Sequence, residues 1–178
     1  MDVSKKPIIN KTYAVVIGIS DYQDGEIPDL RFADKDAAAF ANYLRSPAGG
    51  SLSGDHLLVL TNENATAGRI AAALDGLLER AKEGDQVLIY FSCHGDVERK
   101  TISQPGFLLC WDAPRRVYMG GGTYSLLYLQ EIVSTLAVTN KAKVVVVADA
   151  CHAGKLAGSQ IAGPQLTSAN LARQFANE

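Results

Sequence analysis

Two rare side chains stand where chemistry is easiest to build. His94 follows the apolar run Gln86-Val87-Leu88-Ile89-Tyr90-Phe91, and Cys151 follows the apolar run Lys143-Val144-Val145-Val146-Val147-Ala148. A thiol is a weak nucleophile until it loses its proton, and a nearby imidazole can take that proton and later return it to a leaving amine. The oxyanion formed in such a reaction needs backbone N–H donors, and glycine beside a catalytic side chain lets the reacting group come close. Gly95, next to His94, supplies one candidate donor, and the N–H of Cys151 supplies another. Either residue alone also reads as a packed core cysteine or a hydrogen-bonded histidine. Cys93 and His152 complicate the pairing, because each candidate has a neighbour of the other type. Metal binding by these four is a further reading, but adjacent residues of an extended chain point to opposite faces, which argues against a four-ligand site.

The elements around these residues alternate. Residues 13–19, 56–60, 86–91 and 143–148 are short apolar runs rich in β-branched side chains, as expected of strands buried on both faces. Between them lie amphipathic patterns. Ala37, Phe40, Ala41 and Leu44 mark one helix from Ala33, and Leu126, Leu129, Ile132, Val133 and Leu136 mark another. Ile70, Ala73, Leu74, Leu77, Leu78 and Ala81 mark a helix that runs to about Lys82, with Asn64 and Thr66 as candidate caps and Gly84 beyond its end. Residues 20–28, 46–54 and 96–106 read as loops, 107–111 as a short extended piece, and the run Gly120-Gly121-Gly122 closes another loop. The alternation predicts an α/β fold of three layers, α/β/α, with a mainly parallel central sheet. Ligands of such sheets gather beyond the carboxyl ends of the strands, where His94 and Cys151 both fall. Consecutive strands are often neighbours about 4.8 Å apart, so the two side chains are expected to face one another.

Composition limits the partners. The 178 residues carry a formal net charge of -2, are 47% apolar and 20% charged. This excludes a disordered chain and a disulfide scaffold, and offers no global basic field for a nucleic acid backbone. Three widely spaced cysteines without a C-x-x-C pair fit a reducing compartment. The polar residues 1–11 lack a signal peptide's apolar core, and no apolar run is long enough to span a bilayer, so a cytoplasmic location without membrane contact is expected.

Three segments carry a resemblance. Tyr90-Phe91-Ser92-Cys93-His94-Gly95 resembles the Y-F-S-G-H-G that ends the third strand of caspase-like proteases. Asp149-Ala150-Cys151-His152-Ala153-Gly154 resembles the D-x-C-H-S-G nucleophile motif of metacaspases and orthocaspases, rather than the Q-A-C-x-G of animal caspases. Tyr13-Ala14-Val15-Val16-Ile17-Gly18-Ile19, followed by Leu30-Arg31-Phe32-Ala33-Asp34-Lys35-Asp36-Ala37, is similar to the family's first strand and the entry to its first helix. The resemblance implies a cysteine endopeptidase, with Cys151 as nucleophile, His94 as general acid and base, and Gly95 at the oxyanion donor position. It also implies a substrate pocket formed by Asp149, Asp36 and Ser92, with Ala33 at the helix entry. Two carboxylates in one pocket hold Arg or Lys by charge-assisted hydrogen bonds and reject an acidic side chain. Cleavage after Arg or Lys is therefore expected. Two other readings stay open: a degenerate interaction module that does not cut, and cleavage after Asp if Arg31 faces the pocket, since animal caspases use an Arg near this point.

Cys93 stands where the family usually has Gly, and Ala153 where it has Ser. No metal or cofactor is expected. Many metacaspases bind calcium, and calcium activation stays open here, but Asp96, Glu98 and Asp112 are few carboxylates for a cation that takes six or more oxygens. Residues 1–11 read as a tail, 12–155 as a catalytic domain like the family's large subunit, and 156–178 as a linker or processing region. The family's sheet has six strands and only four are visible, so the sheet is expected to be incomplete on its C-terminal side. Besides a protein or peptide substrate, the expected partner is a small-subunit-like segment or a second copy that completes it. In microbes the resemblance points to regulated cell death and defence against phage.

Overall fold

The computed structural model describes residues 10–149; Cys151, His152 and the 156–178 region lie outside the described residues. Four parallel strands form the central sheet: β1 (Thr12–Gly18), β2 (Leu57–Thr61), β3 (Gln86–Ser92) and, last in the chain, β7 (Lys143–Asp149). Their order across the sheet is β2-β1-β3-β7. The register is unbroken from Thr12 opposite Gln86 to Gly18 opposite Ser92, and from Gln86 opposite Lys143 to Ser92 opposite Asp149.

Alternate residues of β1 and β3 feed two cores. Ala14 and Val16, with Leu88 and Tyr90, face helix α1 (Ala33–Arg45), which buries Ala37, Ala41 and Leu44 against them. Tyr13, Val15, Ile17, Val87, Ile89 and Phe91 face the opposite layer. That layer holds α2 (Ala67–Arg80), which buries Ile70, Ala73, Leu74 and Leu77, and α3 (Leu126–Ser134), which continues as one wider π turn to Thr139. The expected three-layer α/β/α arrangement is thus what the chain adopts. Thr66 caps α2 by accepting the Arg69 N–H, and Asp112 reaches across to accept the N–H of Ala67 at 2.8 Å. The helix ends at Arg80, two residues before the expected Lys82, and Gly84 takes the left-handed turn that follows, at φ +86°.

Two features differ from expectation. The segment read as a loop from Asp96 opens with a strand, because β4 (Gly95–Val97), β5 (Gly106–Leu109) and β6 (Thr123–Ser125) make a second, antiparallel sheet. Strands of three or four residues are too short to show a period of two, and only their pairing defines them. The apolar run of β7, expected to be covered on both faces, is covered on one, and in the other edge strand, β2, Leu58 is likewise 40% exposed. Val144, Val146 and Ala148 pack on the α2–α3 core, while Val145 and Val147 on the α1 side are each 43% exposed. Helix α1 lies over β1, β2 and β3 and stops short of that edge, and burial on both faces requires a covering element that sequence pattern alone does not supply.

Gly18 closes β1 where α1 comes closest. A Cβ there would lie 2.4 Å from both the Ala33 carbonyl oxygen and the Ala37 Cβ. Gly18→Ala must push the helix off the sheet. We expect a loss of about 1–3 kcal/mol in urea unfolding, with the helix start at Ala33–Asp36 displaced; an unchanged midpoint would refute the close contact.

Candidate functional site

The aligned register brings Gly18, Ser92 and Asp149 level at the carboxyl ends of three adjacent strands. β3 and β7 are direct neighbours, as expected for the strands that lead to His94 and Cys151. After Ser92 the chain bends at Cys93 and leaves the large sheet for the small one, with His94 at the crossing.

His94 is buried and held at three points. Its backbone N–H donates to the Tyr22 hydroxyl at 2.8 Å. Its carbonyl accepts the Leu109 N–H at 2.8 Å. Its Nε2 lies 2.7 Å from the Pro28 carbonyl oxygen. A carbonyl can only accept, so Nε2 carries the proton, and in the neutral ring Nδ1 is left with its lone pair. Nδ1 is buried and is the one polar atom of the side chain with no hydrogen bond in the described structure. Burial lowers the imidazole pKa from the usual 6.5, against smaller upward pulls from the Pro28 hydrogen bond and the carboxylates of Asp96 and Asp29. The ring is therefore a neutral base at pH 7.

The same bonds aim Gly95. In the trans peptide joining the two residues, the His94 carbonyl and the Gly95 N–H point in opposite directions. The carbonyl is turned into β5 by Leu109, so the Gly95 N–H is turned to the outer edge of β4. Gly95 faces Leu108 across the ladder, and in antiparallel pairs such positions alternate between bonded and unbonded.

The candidate substrate residues gather on the α1 face of the sheet. Ser92 is buried on the same face as Tyr90, whose pKa is raised by burial and then by the charges of Asp149 and Asp36, against a downward pull from the Ser92 hydroxyl. Tyr90 thus sits within electrostatic reach of all three. Asp36 is exposed in the first turn of α1, and Asp149 is exposed at the end of β7. Ala33 is elsewhere: its side chain is buried and its carbonyl abuts Gly18. The guanidinium of Arg31 lies over the exposed ring of Phe32, 5.6 Å from its centroid.

The family model of the peptidase C14 caspase domain matches residues 11–174. The chain belongs to the caspase-domain family. Among solved structures, the crystal structure of protein GSU0716 from Geobacter sulfurreducens superposes with a TM-score of 0.59 at 16% identity, over 78% of this chain. At that identity the likeness is one of fold. The chain spans about half of that structure, 48% of its length. No curated protein sequence matches the chain.

Within the caspase domain the remaining rare residues sort themselves. Burial pushes the Cys93 thiol up to about 12, with Asp149 adding to the shift, so Cys93 stays protonated and is no match for an activated nucleophile. Cys110 is buried and shifted the same way. His56 stacks on Tyr13 at 4.8 Å between centroids and bonds through Nδ1 to the Thr12 carbonyl, a structural role. The three carboxylates near the His94 strand have separate partners. Asp96 accepts the Tyr118 hydroxyl, Glu98 the Lys100 N–H, and Asp112 the α2 N–H. Among the described residues no three His, Cys, Asp or Glu side chains group closely enough to hold a metal ion. Cys151 itself lies outside the described residues.

Sequence reasoning missed Tyr22, Pro28 and Tyr90. Tyr22 and Pro28 fall in a segment that reads only as a loop, and what Pro28 contributes is a backbone oxygen, for which no residue type is a signal. Tyr90 stood within the resemblance motif but carried no separate cue.

The lowered His94 pKa has a stability consequence. Below about pH 6.5 the unfolded chain binds a proton that the folded imidazole resists, so stability falls on acidification from that point down to the folded pKa. Thermal unfolding between pH 7.5 and 5 should show this decline, and His94→Gln should flatten it. An equal slope in both proteins would contradict a neutral buried His94.

Proposed function

We propose that this caspase domain is a cysteine endopeptidase that cleaves after Arg or Lys. In this reading the Cys151 thiol passes its proton to Nδ1 of His94 and its sulfur bonds to the substrate carbonyl carbon. The carbonyl electron pair moves onto oxygen and is met by the N–H groups of Gly95 and Cys151. The C–N bond breaks as Nδ1 returns the proton to the amine. Water then attacks the thioester, giving a proton to His94, and the C–S bond breaks to free the acid and the thiol.

The observation that carries the reading is the state of His94. A buried imidazole whose Nε2 is tied to Pro28 while Nδ1 keeps a lone pair is built to take a proton at one atom. For the specificity, the support is the convergence of Asp36, Ser92 and Asp149 on Tyr90. A site with two carboxylates favours a cationic side chain.

The test is a panel of fluorogenic peptides ending in Arg, Lys or Asp, run with and without calcium. Cleavage after Arg and Lys is expected, lost with Cys151→Ala. Asp149→Asn should cut kcat/KM for the Arg peptide about 10–100-fold, the worth of one charged hydrogen bond. Cleavage only after Asp would overturn the pocket and leave the dyad. No Cys151-dependent cleavage of any peptide would favour an interaction module.

We further infer that β7 is covered in the active assembly by a small-subunit-like segment or a second copy. Among the described residues β7 pairs on one side alone, and Val145 and Val147 are an apolar stripe on it. Native mass spectrometry of active material should show an associated segment or a dimer; a fully active lone chain of residues 10–155 would refute the cover. The buried free thiols of Cys93 and Cys110 suit a reducing cytoplasm. No helix of the described residues is long and apolar enough to cross a membrane.

A further inference from the structure

We propose that Tyr22 is a positioning residue for His94, its hydroxyl fixing the backbone of the base and its ring keeping water from the imidazole. The inference rests on the peptidase reading for its catalytic meaning, while the contact itself is independent of it. Tyr22 is 7% exposed, and its hydroxyl takes the His94 N–H at 2.8 Å. Its ring lies 5.3 Å from the imidazole, centroid to centroid, tilted by 31°. An amide N–H at a buried crossing between two sheets must find a partner, and neither sheet supplies one here. Phe in place of Tyr would keep the ring and leave that N–H unmet.

The two parts of the side chain do separable work. The hydroxyl fixes where the His94 peptide sits, and through it the direction of the Gly95 N–H and the reach of Nδ1. A misplacement of a fraction of an ångström at such a site costs rate rather than substrate affinity. The ring covers the imidazole and disfavours its charged form. The other groups that face His94 are known and stay in place. Among the described residues they are Asp29 and the Pro28 carbonyl on the same loop as Tyr22, and Asp96 on β4; in the peptidase reading the thiol of Cys151 joins them. The Tyr22 phenol is itself held neutral by burial, so it adds no charge.

The loop is braced so that it can do this. The Gln23 N–H donates to the Trp111 carbonyl at 3.0 Å, Asp24 accepts the Arg115 N–H at 2.9 Å, and Glu26 pairs with the Arg115 guanidinium at 2.8 Å.

Two variants of the full chain test the proposal, with far-UV circular dichroism confirming the fold. Tyr22→Phe should lower kcat about tenfold with KM nearly unchanged, and should speed hydrogen exchange of the His94 amide. It should leave the His94 titration, read by the NMR shift of its Cε1–H, at the wild-type value. Tyr22→Leu should move that titration up towards an ordinary histidine and shift the acid limb of the pH–rate profile with it. Exchange and titration need no turnover, so they decide the proposal even if no peptide is cleaved. Wild-type amide exchange in Tyr22→Phe overturns the hydroxyl's role, and an unmoved titration in Tyr22→Leu overturns the ring's. If the Leu variant does not fold, Tyr22→Ile replaces it and is read the same way.

Discussion

His94 is bound at its amide, its carbonyl and its ring by two separate parts of the chain: Tyr22 and Pro28 from the loop after β1, and Leu109 from β5. Each bond is modest by itself, about 1 kcal/mol. Together they remove every rotational freedom that a base at a chain crossing would otherwise have. They also leave two groups of the right kind unspent, the lone pair of Nδ1 and the N–H of Gly95. Much of the surrounding fold is legible as what these bonds require. The loop must be anchored, which Trp111 and Arg115 do. β5 must lie beside the crossing, which the small sheet secures. β1 and β3 must end level, which their unbroken register secures.

The two faces of the central sheet then divide the labour. Cys93 and Tyr22 belong with the large core on the α2–α3 side, and His94 is buried beside Tyr22; burial lowers the His94 pKa and keeps Cys93 protonated. The carboxylates of Asp36 and Asp149 belong with the α1 side, close to Tyr90 and Ser92. This separation matters electrostatically. A cation-binding pair of carboxylates pressed against the imidazole would raise its pKa and blunt it as a base at neutral pH. Neither Asp36 nor Asp149 is among the charges that act on His94, which are those of Asp96 and Asp29.

Much of this was readable in the residues. Four β-branched runs, three amphipathic stripes and their alternation determine the parallel sheet and its layers, although the same unbroken apolar run is left open on one face in β7. The rare His and the motif around it mark the end of β3, and Tyr13 to Ala37 and Asp149 to Gly154 carry the likeness to the caspase domain. Composition argued against a disulfide framework and offered no global basic field for a nucleic acid.

Tertiary structure alone decided the rest, because the deciding partners are backbone groups or are distant in sequence. The Pro28 carbonyl, which sets the tautomer of His94, is 66 residues away and has no side-chain signature. The direction of the Gly95 N–H follows from a ladder of strands of three or four residues, too short to leave a pattern. Whether Cys93 is a reactive thiol depends on burial, which the sequence around it does not express. The sequence named the candidate groups; only the fold could say which atoms of His94 are already engaged.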